Sequence, residues 1–315
     1  MPIGGVVAYR NAISPTCVGY DIGCGNKAVR LDMTGADLRL NIGRIMDEIS
    51  DTISFGVGRR NAERVDSAVL DKAQHGWSLE ATCSLYQKAA AQLGTVGSGN
   101  HYVDLFTDED DRVWMGVHFG SRGFGHGVAT WFLKAAGAKD GMDVEPCVLD
   151  VNSDLGAQYL LAMSLAGAYA YAGRDWVCDR VAKILGAEIV EVIHNYHNFA
   201  WHEKHGDEMF WVVRKGATPA FPGEKGFVDG SMGEQSVILE GVENEDAKYS
   251  LYSTVHGTGR SMGRKEATGV YDRKTGECKR EGRVTQAMMR SWIDRSGIGL
   301  RGGGLDESTD CYGWS

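Results

Sequence analysis

Glycine clusters impose the strongest constraint on how this chain can fold. The 315 residues include 43 glycines, roughly twice the usual share of ~7%. Many of them gather in short clusters beside a histidine, a cysteine or an arginine, namely Gly23/Gly25, Gly97/Gly99, Gly120/Gly123/Gly125/Gly127, Gly257/Gly259 and Gly302/Gly303/Gly304. A single cluster is typical of a tight turn. Their repeated association with reactive side chains indicates loops whose backbone approaches a ligand closely.

Composition and charge place the chain among ordinary globular proteins. Hydrophobic residues make up 43% and charged residues 24% of the sequence. The net charge of -9 argues against a surface that coats nucleic acid non-specifically, although it allows a local basic groove. Seven cysteines without a CxxC pair indicate a reducing compartment rather than a disulfide framework.

The N-terminal sequence MPIGGVVAYR lacks the basic and then apolar plan of a signal peptide. The apolar stretch 155–173 approaches the length of a membrane span, but it contains Gln158 and Ser164 and runs into Arg174 and Asp175. We predict that it is a buried helix. We therefore expect a cytoplasmic protein that has no membrane association.

Hydrophobic periodicity predicts helices and strands that do not alternate regularly. The helical pattern is clearest over 61–74, 80–93, 156–185 and 285–296. Strand-like runs cover 27–31, 113–117, 209–213, 236–239 and 250–255, and several of them end at a loop that carries glycine or histidine. Without a steady β-α-β order or any linker, the sequence predicts a single domain over 1–315 of the α+β class.

A carboxylate and a thiol lie three residues apart in the turn Asp21-Ile-Gly-Cys24-Gly. Such a turn can direct both side chains at one point. A thiolate can bridge two metal ions, and a carboxylate suits a hard ion such as Mn²⁺. Either residue alone is weak support, since a lone cysteine is more often a buried structural residue.

Four histidines strengthen the metal hypothesis because each lies at a strand end or beside glycine or asparagine: His101, His118, His197 and His256. Neutral imidazole is the commonest metal ligand in proteins. His75, His202 and His205 lie in polar, helix-like surroundings and are predicted to be surface residues. The scattered ligand candidates predict a cytosolic metalloenzyme.

His256 has a different setting from the other histidines. The residues that follow it, Gly-Thr-Gly-Arg260, offer backbone N–H groups and a guanidinium to an anion. A histidine that faces a phosphate-binding loop can be a metal ligand, a general base or a nucleophile that forms a phosphoramidate. The residues alone leave these roles open.

The motifs taken together resemble the RtcB family of RNA-splicing ligases. They occur in the order of the family along nearly the whole chain: PIGGVVAYR, VGYDIGCG, GTVGSGNHYVDL, VHFGSRGFGH, YLLAMSLAGAYA, HNYHNFA, RKGATPAFPG, GSMGEQS, STVHGTGRSMGRKEA and RGGGLDESTDCY. The resemblance implies mixed and antiparallel sheets flanked by helices, with the active site in a central cleft. It also implies joining of an RNA 3′-phosphate or 2′,3′-cyclic phosphate end to a 5′-hydroxyl end, dependent on GTP and Mn²⁺.

The resemblance also assigns roles to individual residues. The ligands of two Mn²⁺ ions would be Asp21, Cys24, His101, His118 and His197, with Cys24 as the bridge. His256 would be the nucleophile that takes GMP from GTP. The residues that fall where the family holds the guanylate are Asn100, Tyr102, Asp104, Ser231, Ser236, Thr258, Gly259 and Tyr312. RNA or phosphate contacts are expected from Arg122, Arg214 and Arg260, and an archease-type protein is the expected activating partner.

The sequence departs from the family pattern at both ends and at two positions of the nucleotide set. It begins inside the PIGGVVA motif, and it ends without a counterpart of the family's C-terminal lysine that contacts the nucleotide. We therefore expect a form shortened at both ends. Asp104 stands where the family has glutamate, and Thr258 replaces the alanine near the nucleophile.

Two alternative functions follow from these departures. If the missing lysine abolishes guanylation, the metal centre alone could act as a metal-dependent RNA 2′,3′-cyclic phosphodiesterase. A non-catalytic protein that binds RNA ends or nucleotides is the third reading. A structural zinc site is disfavoured because such sites use closely spaced Cys and His ligands, whereas these candidates spread from Asp21 to His197.

Overall fold

The computed structural model describes residues 1–139, 145–272 and 275–308. Its strands are Gly5–Tyr9 (β1), Ala12–Ile13 (β2), Gly25–Thr34 (β3), Tyr102–Thr107 (β4), Arg112–Phe119 (β5), Leu149–Asp150 (β6), Ile189–Tyr196 (β7), Asn198–His205 (β8), Glu208–Lys215 (β9), Ala217–Pro219 (β10), Lys225–Val228 (β11), Val237–Glu240 (β12), Ser253–Val255 (β13), Gly269–Tyr271 (β14) and Cys278–Glu281 (β15). Its α-helices are Pro15–Val18 (α1), Gly35–Leu40 (α2), Ile42–Thr52 (α3), Glu80–Cys83 (α4), Tyr86–Gln92 (α5), Arg122–Ala135 (α6), Asp154–Leu185 (α7), Glu245–Tyr249 (α8), Arg264–Thr268 (α9) and Gln286–Ser296 (α10). Short 3₁₀ turns cover Ala68–Leu70, His75–Ser78 and Leu305–Glu307. The mixture of helices and antiparallel strands confirms the predicted α+β class.

The central sheet has the strand order β4-β5-β3-β7, and every pair in it is antiparallel. Strand β3 lies between two neighbours and is buried on both faces. Val29 faces the core formed with α7, whereas Ala28 faces Phe227 of β11. The first five residues of β3 are accordingly all buried, although Asn26 and Lys27 among them are polar.

A second sheet has the order β1-β9-β8 and is also antiparallel. Strand β8 follows β7 directly after His197, so the chain passes from one sheet to the other at that residue. The β8–β9 connection is a tight turn in which Gly206 has φ 61°. The remaining strands form two-stranded pairs, β2–β6, β10–β13, β11–β12 and β14–β15.

Helix α7 spans 32 residues and connects the two main cores. The hydroxyl of Ser153 accepts a hydrogen bond from Gly156 N at the start of α7, and Gly186 ends the helix in the left-handed region. The first half of the helix packs on α6 through residues such as Tyr159. The second half, with Val177 and Val181, packs on the central sheet. Burial of each such aliphatic side chain stabilises the fold by roughly 1.5–3 kcal/mol.

The predicted helices are confirmed in two regions and wrong or interrupted in two others. The predictions over 156–185 and 285–296 correspond to α7 and α10. The prediction over 61–74 is wrong, because only Ala68–Leu70 forms a helical turn there. The Ser67 hydroxyl accepts from Val69 N and the Asp71 carboxylate accepts from Ala73 N, and such local bonds compete with the helix. The predicted helix 80–93 is broken into α4 and α5.

All five predicted strand segments overlap observed strands, β3, β5, β9, β12 and β13. The apolar stretch 155–173 lies within α7 and contributes to a core, as predicted. Among the described residues, no helix is both long enough and apolar enough to cross a membrane.

Arg174 on α7 is fully buried and ties the helix to the central sheet. Its Nη1 donates to the carbonyl of Gly23, at 3.0 Å, and to that of Phe119. Its Nε donates to His194 Nε2 at 2.8 Å. Buried carbonyl groups need hydrogen-bond partners, so this guanidinium stabilises the chain where β3 begins and β5 ends.

We predict that Arg174→Met lowers the free energy of unfolding by about 2–5 kcal/mol, because two buried carbonyls lose their donor. Urea unfolding followed by circular dichroism measures the change. Arg180→Met on the same helix is the control. Arg180 pairs with Glu63 at a partly exposed position, so its loss should cost about 1 kcal/mol or less. Equal losses for the two variants would contradict the role given to Arg174.

Candidate functional site

The ligand candidates meet at one edge of the central sheet. Cys24 directly precedes β3, and His118 is the last but one residue of β5. His197 directly follows β7. Gly25 at the start of β3 pairs with the ends of both β5 and β7, so the antiparallel register brings these three side chains together. His101 joins them because it directly precedes β4.

The turn from Asp21 to Cys24 has the form that the glycine-rich sequence predicts. Cys24 N donates to the Asp21 carbonyl at 3.1 Å. Gly23 has φ 72°, and a Cβ there would lie 3.0 Å from Gly167 Cα on α7. Gly120 is equally restricted, because a Cβ on it would overlap the Asp21 carboxylate. Glycines at both positions let the acidic side chain enter the site.

The five predicted metal ligands form two groups that share Cys24. One group contains Asp21, Cys24 and His101, and the other contains Cys24, His118 and His197; within each, the potential donor atoms lie within 4.8 Å of one another. Cys24 Sγ lies 3.7 Å from His101 Nε2 and 3.4 Å from His118 Nε2. Two three-donor groups around one sulfur fit a pair of metal ions bridged by a thiolate.

The electrostatics of this cluster also fit a bound cation. Burial, and then the negative charge of Asp21, raise the pKa of the Cys24 thiol well above its ordinary value. Burial lowers the pKa of His101 and of His197, so both imidazoles are neutral at physiological pH. Neutral imidazoles can bind metal, whereas a thiolate beside a carboxylate requires a positive charge nearby.

His256 lies beside this cluster but belongs to neither donor group. It follows β13, and its ring centroid is 4.7 Å from that of His197. Burial, and then the nearby His118, lower the pKa of His256, while a hydrogen bond with the backbone of Gly216 opposes this shift. A neutral, oriented imidazole next to a metal centre is chemically suited to act as a nucleophile or base.

Asp229 and Asn26 were not among the predicted site residues, although they lie at its centre. The Asp229 carboxylate lies 3.3 Å from His118 Nδ1. Asn26 Nδ2 donates to Asp229 Oδ1 and to the backbone carbonyl of His256, both at 3.1 Å. An available signal was the position of Asp229 two residues before the predicted Ser231.

Comparison with known proteins identifies the family of this chain. The profile described as "tRNA-splicing ligase RtcB" matches residues 1–295. The chain belongs to the RtcB family. It is 30% identical to the RNA-splicing ligase RtcB of Escherichia coli K12, over 93% of this chain and 80% of that protein. It is 32% identical to the tRNA-splicing ligase RtcB of Thermococcus kodakarensis, over 91% of this chain and 76% of that protein.

The residues predicted to hold the guanylate lie on segments that adjoin the cluster of metal-ligand candidates. Tyr102 and Asp104 are on β4. Burial raises the pKa of the Tyr102 hydroxyl, and the negative charges of Asp229 and Asp104 raise it further. Ser231 donates to Glu234 Oε2 at 2.5 Å, and Ser236 Oγ accepts from Gly230 N at 3.2 Å.

The other described members of the nucleotide set lie in loops. Thr258 is half-buried and Gly259 is exposed, in the loop that follows His256. The backbone of Gly257 bridges to that of Asp229, which joins this loop to the segment with the two serines. Asn100 is exposed and accepts from Arg264 Nη2 at 3.3 Å. Tyr312 lies outside the described residues.

The three predicted phosphate-binding arginines have different surroundings. Arg122 Nη1 lies 3.0 Å from His101 Nδ1, and Arg122 Nε is buried without a hydrogen-bond partner among the described residues. This arginine therefore borders the cluster of ligand candidates, and its Nε can donate a further hydrogen bond. Arg260 Nη1 lies 3.2 Å from Glu307 Oε1, and Arg260 is half-buried.

Arg214 does not have the surroundings of a phosphate contact. Its side chain is fully buried, and it donates to both carboxylate oxygens of Glu203, at 2.7 and 3.0 Å. It also donates to Ser253 Oγ and to the Leu251 carbonyl. These bonds occupy the guanidinium and attach the loop before β13 to strand β8. His205 Nε2 lies 2.9 Å from Glu203 Oε2, and the His205 side chain is only 9% exposed. Its prediction as a surface residue is therefore wrong.

We predict that replacing Cys24, which both donor groups share, reduces Mn²⁺ binding more than replacing a histidine that belongs to one group only. Cys24→Ala should abolish high-affinity uptake of both ions, because both donor groups use its sulfur. His101→Ala and His197→Ala should each remove one ion and leave the other. Mn²⁺ titration by calorimetry gives the stoichiometry. Cys178→Ala, at a buried cysteine outside both groups, should keep the wild-type value. Full Mn²⁺ uptake by Cys24→Ala would rule out the shared sulfur.

Proposed function

We propose that this chain is an RNA ligase that joins an RNA 3′-phosphate or 2′,3′-cyclic phosphate end to a 5′-hydroxyl end through a covalent His256–GMP intermediate. GTP would supply the guanylate, and the two donor groups around Cys24 would hold Mn²⁺. The observation that carries the proposal is the position of His256. Its ring lies 4.7 Å from that of His197 but outside both donor groups. RNA ligation is also the activity named in the matched relatives.

The proposed chemistry begins at the His256 imidazole. A ring nitrogen with a free electron pair attacks the α-phosphorus of GTP, a P–N bond forms, and the P–O bond to pyrophosphate breaks. Burial keeps His256 neutral, so the electron pair is available without a separate base. Its hydrogen bond with the Gly216 backbone holds the ring in orientation.

The guanylate then passes from His256 to the RNA. Where the RNA ends in a 2′,3′-cyclic phosphate, water first adds to the phosphorus and the bond to the 2′-oxygen breaks, which gives the 3′-phosphate. An oxygen of the RNA 3′-phosphate then attacks the phosphorus of the His256-bound guanylate, which breaks the P–N bond and leaves an activated RNA end. The 5′-hydroxyl of the second RNA attacks the activated 3′-phosphate, so that the new phosphodiester forms and GMP leaves. Arg122 and the backbone N–H groups of Gly257 and Gly259 would stabilise the negative charge on phosphate oxygens.

Mn²⁺ bound by Asp21, Cys24, His101, His118 and His197 would neutralise phosphate oxygens and make pyrophosphate a better leaving group. The donor set supports this role, because carboxylate and imidazole suit Mn²⁺ and a thiolate can bridge two ions. Tyr102 and Asp104 on β4, together with the 231–236 and 256–259 segments, would surround the nucleotide.

We predict that incubation with Mn²⁺ and α-³²P-GTP labels the protein, and that the label survives alkali but not acid, as expected for a phosphoramidate. His256→Ala should reduce labelling by at least about 10³-fold, because the attacking atom is removed. His126→Ala provides a matched control, since His126 is exposed and stacks on Tyr20. Absence of label on the wild-type protein, or equal label on His256→Ala, would refute the covalent intermediate.

The same preparation distinguishes the two alternative functions. Opening of an RNA 2′,3′-cyclic phosphate without GTP, combined with no protein labelling, would indicate a metal-dependent phosphodiesterase. Salt-dependent RNA binding with neither reaction would indicate a non-catalytic protein that binds RNA ends.

A further inference from the structure

Asn26 lies between the cluster of metal-ligand candidates and the loop that carries His256. This residue of β3 is buried, and its Nδ2 donates to the Phe227 carbonyl at 3.0 Å and to the His256 carbonyl and Asp229 Oδ1 at 3.1 Å. Three acceptors around one amide nitrogen exclude the flipped amide, which would place its oxygen against three other oxygens. The donor therefore always faces Asp229.

Asp229 uses its second oxygen on a metal-ligand candidate. Asp229 Oδ2 lies 3.3 Å from His118 Nδ1. A carboxylate only accepts hydrogen bonds, so it holds the proton of a neutral His118 on Nδ1. His118 Nε2 then keeps its electron pair and points towards Cys24 Sγ, 3.4 Å away. Only this tautomer can bind a metal through Nε2.

We infer that Asp229 is a positioning residue that fixes the metal-binding tautomer of His118 and links it, through Asn26, to the loop that carries His256. The link is short, because the backbones of Asp229 and Gly257 also bridge directly. The inference deepens the proposed function and rests on the metal role that it gives to His118.

Asp229→Asn is a diagnostic change because an amide has one acceptor where the carboxylate has two. Its oxygen can face His118 or Asn26, but its NH₂ group then faces the other donor. If the NH₂ faces His118, the imidazole proton must move to Nε2, and the ligand is lost. If the new NH₂ group faces Asn26 instead, it meets the NH₂ group of Asn26, so two donors oppose each other beside the His256 carbonyl. Neither arrangement preserves both bonds.

The first measurement is the tautomer of His118 in the metal-free protein, read by ¹H–¹⁵N NMR with ¹⁵N-histidine labelling. The His118 signals are assigned by their loss in His118→Gln. The wild-type protein should show His118 protonated on Nδ1, and Asp229→Asn should shift the signal towards the Nε2–H form. A wild-type His118 protonated on Nε2 would overturn the inference, whatever the variant does. This outcome leaves the guanylation assay of His256 unaffected.

The second measurement is Mn²⁺ affinity by calorimetry, with folding checked by circular dichroism. Asp229→Asn should weaken binding by about 10–100-fold, the usual effect of removing a partner that orients a metal ligand. Asp175→Asn is the matched control. The Asp175 carboxylate also lies close to a histidine Nδ1, that of His194 at 3.5 Å, but neither residue belongs to a donor group, so the Mn²⁺ affinity of this variant should stay within about twofold of the wild-type value. Equal effects of the two variants would show that charge alone matters, and would contradict the positioning role.

Discussion

The antiparallel pairing of Gly25 with both neighbouring strands is the constraint on which the rest of the site depends. It places the end of β5 and the end of β7 on either side of the residue that follows Cys24. Three ligand candidates from distant parts of the chain thereby meet without any long side chain reaching across. A shift of the register by one residue would turn every second side chain to the opposite face, so the buried faces of β3 also protect the geometry of the ligands.

This arrangement also buries polar backbone groups, and each of them needs a hydrogen-bond partner. Arg174 donates to the backbone next to Cys24 and next to His118, and it reaches them from the long helix behind the sheet. On the other side of the cluster, Asn26 donates to the backbone carbonyls of Phe227 and His256, and Asp229 accepts a hydrogen bond from Asn26. The cluster is therefore held from two sides by groups that are not themselves ligand candidates. This arrangement is expected for metal sites, where the surrounding hydrogen bonds orient the ligands.

Local sequence patterns predicted the elements whose own chemistry decides their structure. Helix α7 has a serine cap, a glycine stop and an uninterrupted apolar pattern, and its prediction is confirmed. The segment 61–74 has similar apolar spacing, but side chains of Ser67 and Asp71 bond to the nearby backbone, which competes with a longer helix, and only the turn Ala68–Leu70 forms. Arg214 illustrates a different limit. The family resemblance implies a phosphate contact for this residue, whereas in the fold its guanidinium is occupied by Glu203 and by the loop before β13.

The sequence by itself determined which side chains could form the metal cluster, because Asp, Cys and His beside glycine are readable residue by residue, and the motifs identified the RtcB resemblance. It could not determine that these ligands form two groups sharing one sulfur, since this depends on the register of β3 with β5 and β7. Nor could it identify Asp229 and Asn26. Their hydrogen bonds cross about two hundred residues of chain, and only tertiary packing brings such partners within bonding distance.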